Sequence, residues 1–132
     1  MHLSQIVGAV LLLVACDPGV YAKVRLTPSA GPTDASPTAR AGEPVAAMGQ
    51  VALRFGLILD SLQSDSVTRN WDGPVEANGH SRLYVRATRT AGGQVTVLVG
   101  EMYTDVWSPR GDSLRRAVAD TLRYFGALTP LR

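Results

Sequence analysis

The chain of 132 residues holds one cysteine, Cys16. A lone thiol cannot close an internal disulfide, so an exported form would be held by its core alone. Histidine is nearly as scarce, with only His2 and His80. Zinc sites with one histidine and no cysteine are uncommon, so neither metal nor cofactor is expected. Lysine occurs once, as Lys23, and the formal net charge is only +2. That balance lacks the basic excess of nucleic-acid binders, and no nucleic-acid partner is expected. No phosphate-binding loop, nucleotide fingerprint or Gly-x-Ser-x-Gly elbow occurs. The chain also lacks an apolar run that could span a bilayer. Such a helix needs about 20 apolar residues, and the run at 6–15 is roughly half that.

What the run does have is the length of a signal-peptide core, and it stops at Cys16. Leu13-Val14-Ala15-Cys16 resembles the lipobox of bacterial lipoproteins. The resemblance implies a diacylglyceryl thioether on Cys16, cleavage of the bond before it, and further acylation of the new amino terminus. Each buried CH₂ adds about 0.8 kcal/mol of membrane affinity, and two or more chains anchor stably. The expected location is extracytoplasmic, on the inner or outer membrane, with the bilayer itself as the first partner. An envelope protein is the expected second partner. Lipidation also removes the only thiol, which closes off thiol catalysis. The segment departs from the family in one respect: His2 is the only basic side chain before the apolar run.

The whole chain is 45% hydrophobic, as expected of a globular domain rather than a disordered one. Residues 20–27 alternate, with Val20, Ala22, Val24 and Leu26 on one side, and read as a half-buried strand. Residues 28–43 are rich in Pro, Ser, Thr, Ala and Gly and read as a linker, so the strand at 20–27 either belongs to the domain with a long loop after it or is part of a tether over 17–43. Pro44 opens an expected amphipathic helix over 44–63, with Met48, Val51, Phe55, Ile58 and Leu62 as its stripe. Residues 64–81 read as a loop with a short strand near Val75. Residues 82–89 alternate again, with Leu83, Val85 and Ala87 inward and Arg82, Tyr84 and Arg86 outward. Ala91-Gly92-Gly93 supplies a hairpin turn. A Val-rich strand run over 94–107 follows, as one strand or two. Ser108 and Pro109 then start a second helix carrying Leu114, Val118, Leu122 and Phe125 on one face.

These elements predict an α/β fold, a small two-layer sandwich with two amphipathic helices on one face of an antiparallel sheet. The expected division is signal peptide 1–15, lipidated terminus with a first strand and linker 16–43, and globular domain 44–132. The order resembles that of small envelope-assembly lipoproteins that act as accessory subunits.

Chemistry-bearing patterns are sparse. Asp72, Glu76 and His80 are spaced by four, but Gly73, Pro74 and Gly79 deny them a helix. Glu101 and Asp105 share a strand run without a visible cleft. Arg110-Gly111-Asp112 matches an integrin-binding triplet at the start of a helix. Trp71 and Trp107 fit either core or a binding surface. Arg82, Tyr84 and Arg86 form a candidate basic binding face for anionic lipid, glycan or an acidic protein surface. The sequence therefore favours a non-catalytic binding or accessory subunit. The alternatives are a small hydrolase using His80 and a structural subunit assembling through the helix at 44–63.

Overall fold

The computed structural model describes residues 19–29, 37–75 and 81–132. Cys16, Glu76 and His80 lie outside the described residues. In chain order the elements are β1 (Gly19–Pro28), α1 (Pro37–Arg54), β2 (Ile58–Leu59), β3 (Thr68–Val75), β4 (Arg82–Arg89), β5 (Val95–Met102), α2 (Pro109–Arg123) and β6 (Gly126–Leu131). They build one antiparallel sheet in the order β2-β3-β4-β5-β1-β6. Both helices pack on the same face, giving the two-layer α/β sandwich that the alternating strands and amphipathic helices require.

Alternation places the core. Leu83, Val85 and Ala87 of β4 lie beside Val95, Val97 and Val99 of β5, joined by Leu26 of β1 and Trp71 of β3. Val45, Met48, Val51 and Ala52 of α1 close over them, as do Leu114, Val118 and Leu122 of α2. Trp71 thus belongs to the core, and its ring lies 3.4 Å from where a side chain on Gly49 would begin. The stripe begun by Met48 and Val51 is consumed within the domain, which leaves that half of it unable to serve as an assembly surface.

Four segments either depart from the expectation or settle what it left open, β1 being the latter. β1 is an interior strand, paired to β5 on one side and β6 on the other. The sheet therefore takes in residues ahead of the expected boundary at 44. The first helix starts at Pro37, inside the expected linker, and Pro44 lies within it. It ends at Arg54 because Gly56 adopts φ +74°, a left-handed conformation that suits glycine. Leu57 N–H donates to Ala52 O at 2.9 Å and Gly56 N–H to Leu53 O at 3.0 Å. This pair of bonds is a Schellman stop, and it releases Ile58 and Leu59 into β2. Ile58 and Leu62 are accordingly 70% and 96% exposed instead of continuing the stripe.

The third departure is β3, which runs through the expected loop. Gly73 and Pro74 sit at a register shift between Asp72, opposite Tyr84, and Val75, opposite Arg82. Three steps on β3 meet two on β4, so the dipeptide makes a bulge rather than a break. The fourth departure is the C-terminal tail, which forms β6 and takes Pro130 on the sheet edge, where a missing donor is tolerated. Gly126 opens this strand with its Cα against β1. A Cβ there would stand 2.1 Å from Thr27 O.

The second helix follows its signals. Ser108 is the N-cap, and its Oγ accepts from Gly111 N–H at 3.0 Å, with Pro109 behind it. Glu101, fully buried at the end of β5, accepts from Ser108 N–H through Oε1 at 2.9 Å. The helix entrance is thereby tied to the sheet.

Candidate functional site

The helices cover one face of the sheet and leave the other open. Side chains directly opposite one another on antiparallel strands share a face, so the register draws the open face in rows. One row runs Asp72, Tyr84, Gly100, Tyr21 across β3, β4, β5 and β1. The next runs Asn70, Arg86, Leu98, Lys23, Leu131 and reaches β6. Arg82 and Met102 follow on the other side of the tyrosine row. The expected face of Arg82, Tyr84 and Arg86 therefore exists as one surface. It also carries groups that alternation along a single strand does not reveal.

The missed groups are Asn70, Asp72 and Asp60. Asn70 is buried, accepts from Arg86 Nε through Oδ1 at 3.1 Å, and donates through Nδ2 to Asp72 Oδ2 at 2.9 Å. Its backbone N–H donates to Ser64 Oγ at 3.0 Å, and its carbonyl accepts from Asp60 N–H at 2.7 Å. Asp60 leaves β2 in a tight turn whose Oδ1 accepts from Leu62 N–H at 3.0 Å and Gln63 N–H at 3.3 Å. The turn brings the Asp60 carboxyl beside Asp72. Burial, with the neighbouring Asp60 carboxyl adding to it, raises the Asp72 pKa. The bond from Asn70 and the charge of Arg82 oppose that rise. Burial likewise raises the Tyr84 phenol, against the pull of Arg86.

Two cavities open onto this cluster. One of about 590 Å³ is mostly apolar, with Ile58, Leu59, Leu62 and Pro74 among its walls. The other, about 340 Å³, is polar and is bordered by Asn70, Tyr84 and Arg86 over a floor of Leu98 and Met102. Asp60, Asp72 and Arg82 belong to both and form the wall between them. Two carboxyls thus face two guanidiniums, so the expected basic face is nearly charge-balanced at this end. Its unbalanced positive part lies further across, where Lys23 and Arg132 flank Tyr21 around a third cavity of about 230 Å³. Arg82 keeps one buried donor, Nε, without a hydrogen-bond partner among the described residues.

No group of three or more His, Cys, Asp or Glu that could hold a metal occurs among the described residues. Glu101 is buried and faces the start of α2, away from the open face, whereas Asp105 is exposed. The Arg110-Gly111-Asp112 triplet is drawn into α2, where Asp112 accepts from Arg115 and Arg116 and Gly111 is buried. Trp107 stacks beneath the Arg115 guanidinium, 5.5 Å from the ring centre.

The arrangement brings together planar acceptors, planar donors, a phenol and an adjoining apolar hollow, the kinds of group that line ligand sites. A scan against protein-family models finds no match, and a search of curated proteins finds no significant relative.

Proposed function

We propose that this chain is a lipid-anchored, non-catalytic binding subunit of a bacterial cell envelope. Cys16 holds it to the membrane, and the open sheet face takes its ligand or partner. The observation that carries the binding role is the convergence of Arg82, Tyr84 and Arg86 with Asn70, Asp72 and Asp60 around adjoining open cavities. The cavity volumes fall in the range of about 300–1,000 Å³ typical of ligand sites. The anchor rests on Leu13-Val14-Ala15-Cys16. No helix among the described residues is long and apolar enough to cross a membrane.

The test has two arms. Growth with a labelled fatty acid should mark the parent chain and leave Cys16→Ser unlabelled and released from membranes. Cross-linking in the native envelope should capture a ligand or partner with the parent and lose it with Arg82→Glu/Arg86→Glu. Membrane retention of unlabelled Cys16→Ser would refute the anchor. Undiminished capture by the arginine variant would refute the face.

A further inference from the structure

We infer that the paired cavities take a zwitterionic phospholipid of the ethanolamine type, its ammonium against Asp60 and Asp72, its phosphate against Arg82 and Arg86, and its chain in the apolar hollow. This rests on the lipid-anchor reading and names the ligand of the same face.

Three observations lead there. The first is charge. Two neighbouring carboxyls, one of them short of solvent, repel each other, and a cation placed between them relieves that repulsion. Two arginines stand within the same wall and border, one with a buried donor unbonded among the described residues. Guanidinium forks match phosphate oxygens. A ligand with one positive and one negative group satisfies both pairs. A purely anionic headgroup meets the two carboxyls unfavourably.

The second observation is the apolar hollow that shares this wall. Ile58 and Leu62 are large and exposed beside Leu59 and Pro74. An exposed apolar cluster rimmed by polar groups marks an interaction site. Here its position next to a charge-balanced wall fits an amphiphile, with the polar and apolar parts of the ligand in adjoining compartments.

The third is place. Gly19, the first residue of β1, pairs with Met102, which pairs in turn with Arg82. Strands lie about 4.8 Å apart, so Arg82 stands about 10 Å across the sheet from Gly19. Three Cα–Cα steps lead from Gly19 back to Cys16, a reach of at most about 11 Å. On the lipid-anchor reading, chain length alone keeps the site within about 20 Å of the lipidated sulfur. The segment at 28–43 follows β1 and so adds nothing to this reach.

Short-chain lipids test the inference without a bilayer. The full chain carrying Cys16→Ser would be titrated by calorimetry with dihexanoyl phosphatidylethanolamine, dihexanoyl phosphatidylcholine, dihexanoyl phosphatidylglycerol and phosphoethanolamine. The ethanolamine lipid should bind about tenfold or more tightly than the choline lipid, whose quaternary nitrogen cannot donate hydrogen bonds to the carboxyls. Asp60→Asn/Asp72→Asn should erase that ratio. Leu59→Asn/Leu62→Asn should weaken both lipids and spare phosphoethanolamine. Circular dichroism would show that each variant is folded.

Absence of saturable lipid binding would overturn the inference. So would glycerol lipid binding as tightly as ethanolamine lipid, phosphoethanolamine binding as tightly as its lipid, or an unchanged ratio in the aspartate variant. Fatty-acid labelling of Cys16 and the loss of capture in Arg82→Glu/Arg86→Glu do not depend on this titration. If they hold and the lipids fail, the binding-subunit reading stands and the lipid inference alone falls.

Discussion

Gly100 lies under the phenol of Tyr84, and adding one methyl group there would test the geometry of the open face. A Cβ on Gly100 would stand 2.3 Å from both Cζ and Oη of Tyr84 and 2.6 Å from Cε1. Carbon atoms at rest lie about 3.5–4.0 Å apart, so the ring's outer end must retreat by about 1–1.5 Å. Tyr84 is only partly buried and borders two open cavities, so the ring can swing outward instead of forcing the backbone. An off-rotamer side chain costs about 0.5–1.5 kcal/mol. Against this, replacing glycine within a strand relieves about 0.5–1 kcal/mol of chain entropy. Gly100→Ala should therefore leave stability within about 1 kcal/mol of the parent. In a Tyr84→Ala background the clash is gone, and the same substitution should stabilise by about 0.5–1 kcal/mol. The coupling between the two positions is then about 1 kcal/mol, measurable by urea unfolding followed through the buried Trp71. In Gly100→Ala the phenol should also titrate closer to its ordinary value, since burial is the largest cause of its raised pKa. Additivity of the two substitutions, together with an unmoved phenol titration, would show that Tyr84 does not lie across Gly100.

Other perturbations follow from the same contacts. Gly126→Ala meets the backbone oxygen of Thr27 at 2.1 Å, which cannot swing away. It should destabilise by about 1–3 kcal/mol in urea unfolding, unlike Gly100→Ala. Ser108→Ala removes the cap on Gly111 N–H and should cost about 1 kcal/mol in the same assay. Glu101→Leu, which leaves Ser108 N–H without its acceptor, should cost about 1–3 kcal/mol. Two aspartates should act with opposite signs on the pH dependence of stability. Bonds from Arg115 first, and then Arg116, hold Asp112 below its ordinary value of 3.8. Its stabilisation is present above 3.8 and is lost as pH falls through the lowered folded value. Asp72 is raised above 3.8, so its destabilising effect grows as pH climbs from 3.8 through the raised folded value. Relative to the parent, Asp72→Asn should therefore gain stability between pH 3.8 and neutrality. Asp112→Asn should be less stable than the parent above pH 3.8, a deficit that vanishes as pH falls through a window below 3.8. Denaturant curves at several pH values check both.

Much of this architecture is legible because its local signals agree. The Ser-Pro start of α2 and its Leu114, Val118, Leu122 spacing point to the same helix, as the alternation in β1 and β4 points to strands. The departures arise where one signal masks another. Ser36 and Pro37 repeat the dipeptide that starts α2, but they sit in a segment whose composition reads as linker. Gly56 carries the stop of α1, yet the apolar spacing of Phe55, Ile58 and Leu62 runs straight across it. Gly73 and Pro74 are helix and strand breakers in isolation, and only a paired neighbour turns them into a bulge. For the site, the arginine and tyrosine face follows from period two along one strand. Asp60 and Asp72 do not, because their meeting depends on a turn after a two-residue strand and on a bulge, both set by tertiary pairing.

The position of β1 carries a consequence for how the chain acquires its structure. This strand is made first among the described elements, yet one of its partners, β6, is the last of them, about 100 residues further on. Closing the sheet joins residues near opposite ends of the sequence, a high contact order that slows folding toward milliseconds to seconds. A nascent or partly threaded chain can form α1 and the hairpins, but it leaves β1 waiting. The described sheet closes only when Gly126–Leu131 arrives, so removal of those six residues should leave β1 without one of its two neighbours.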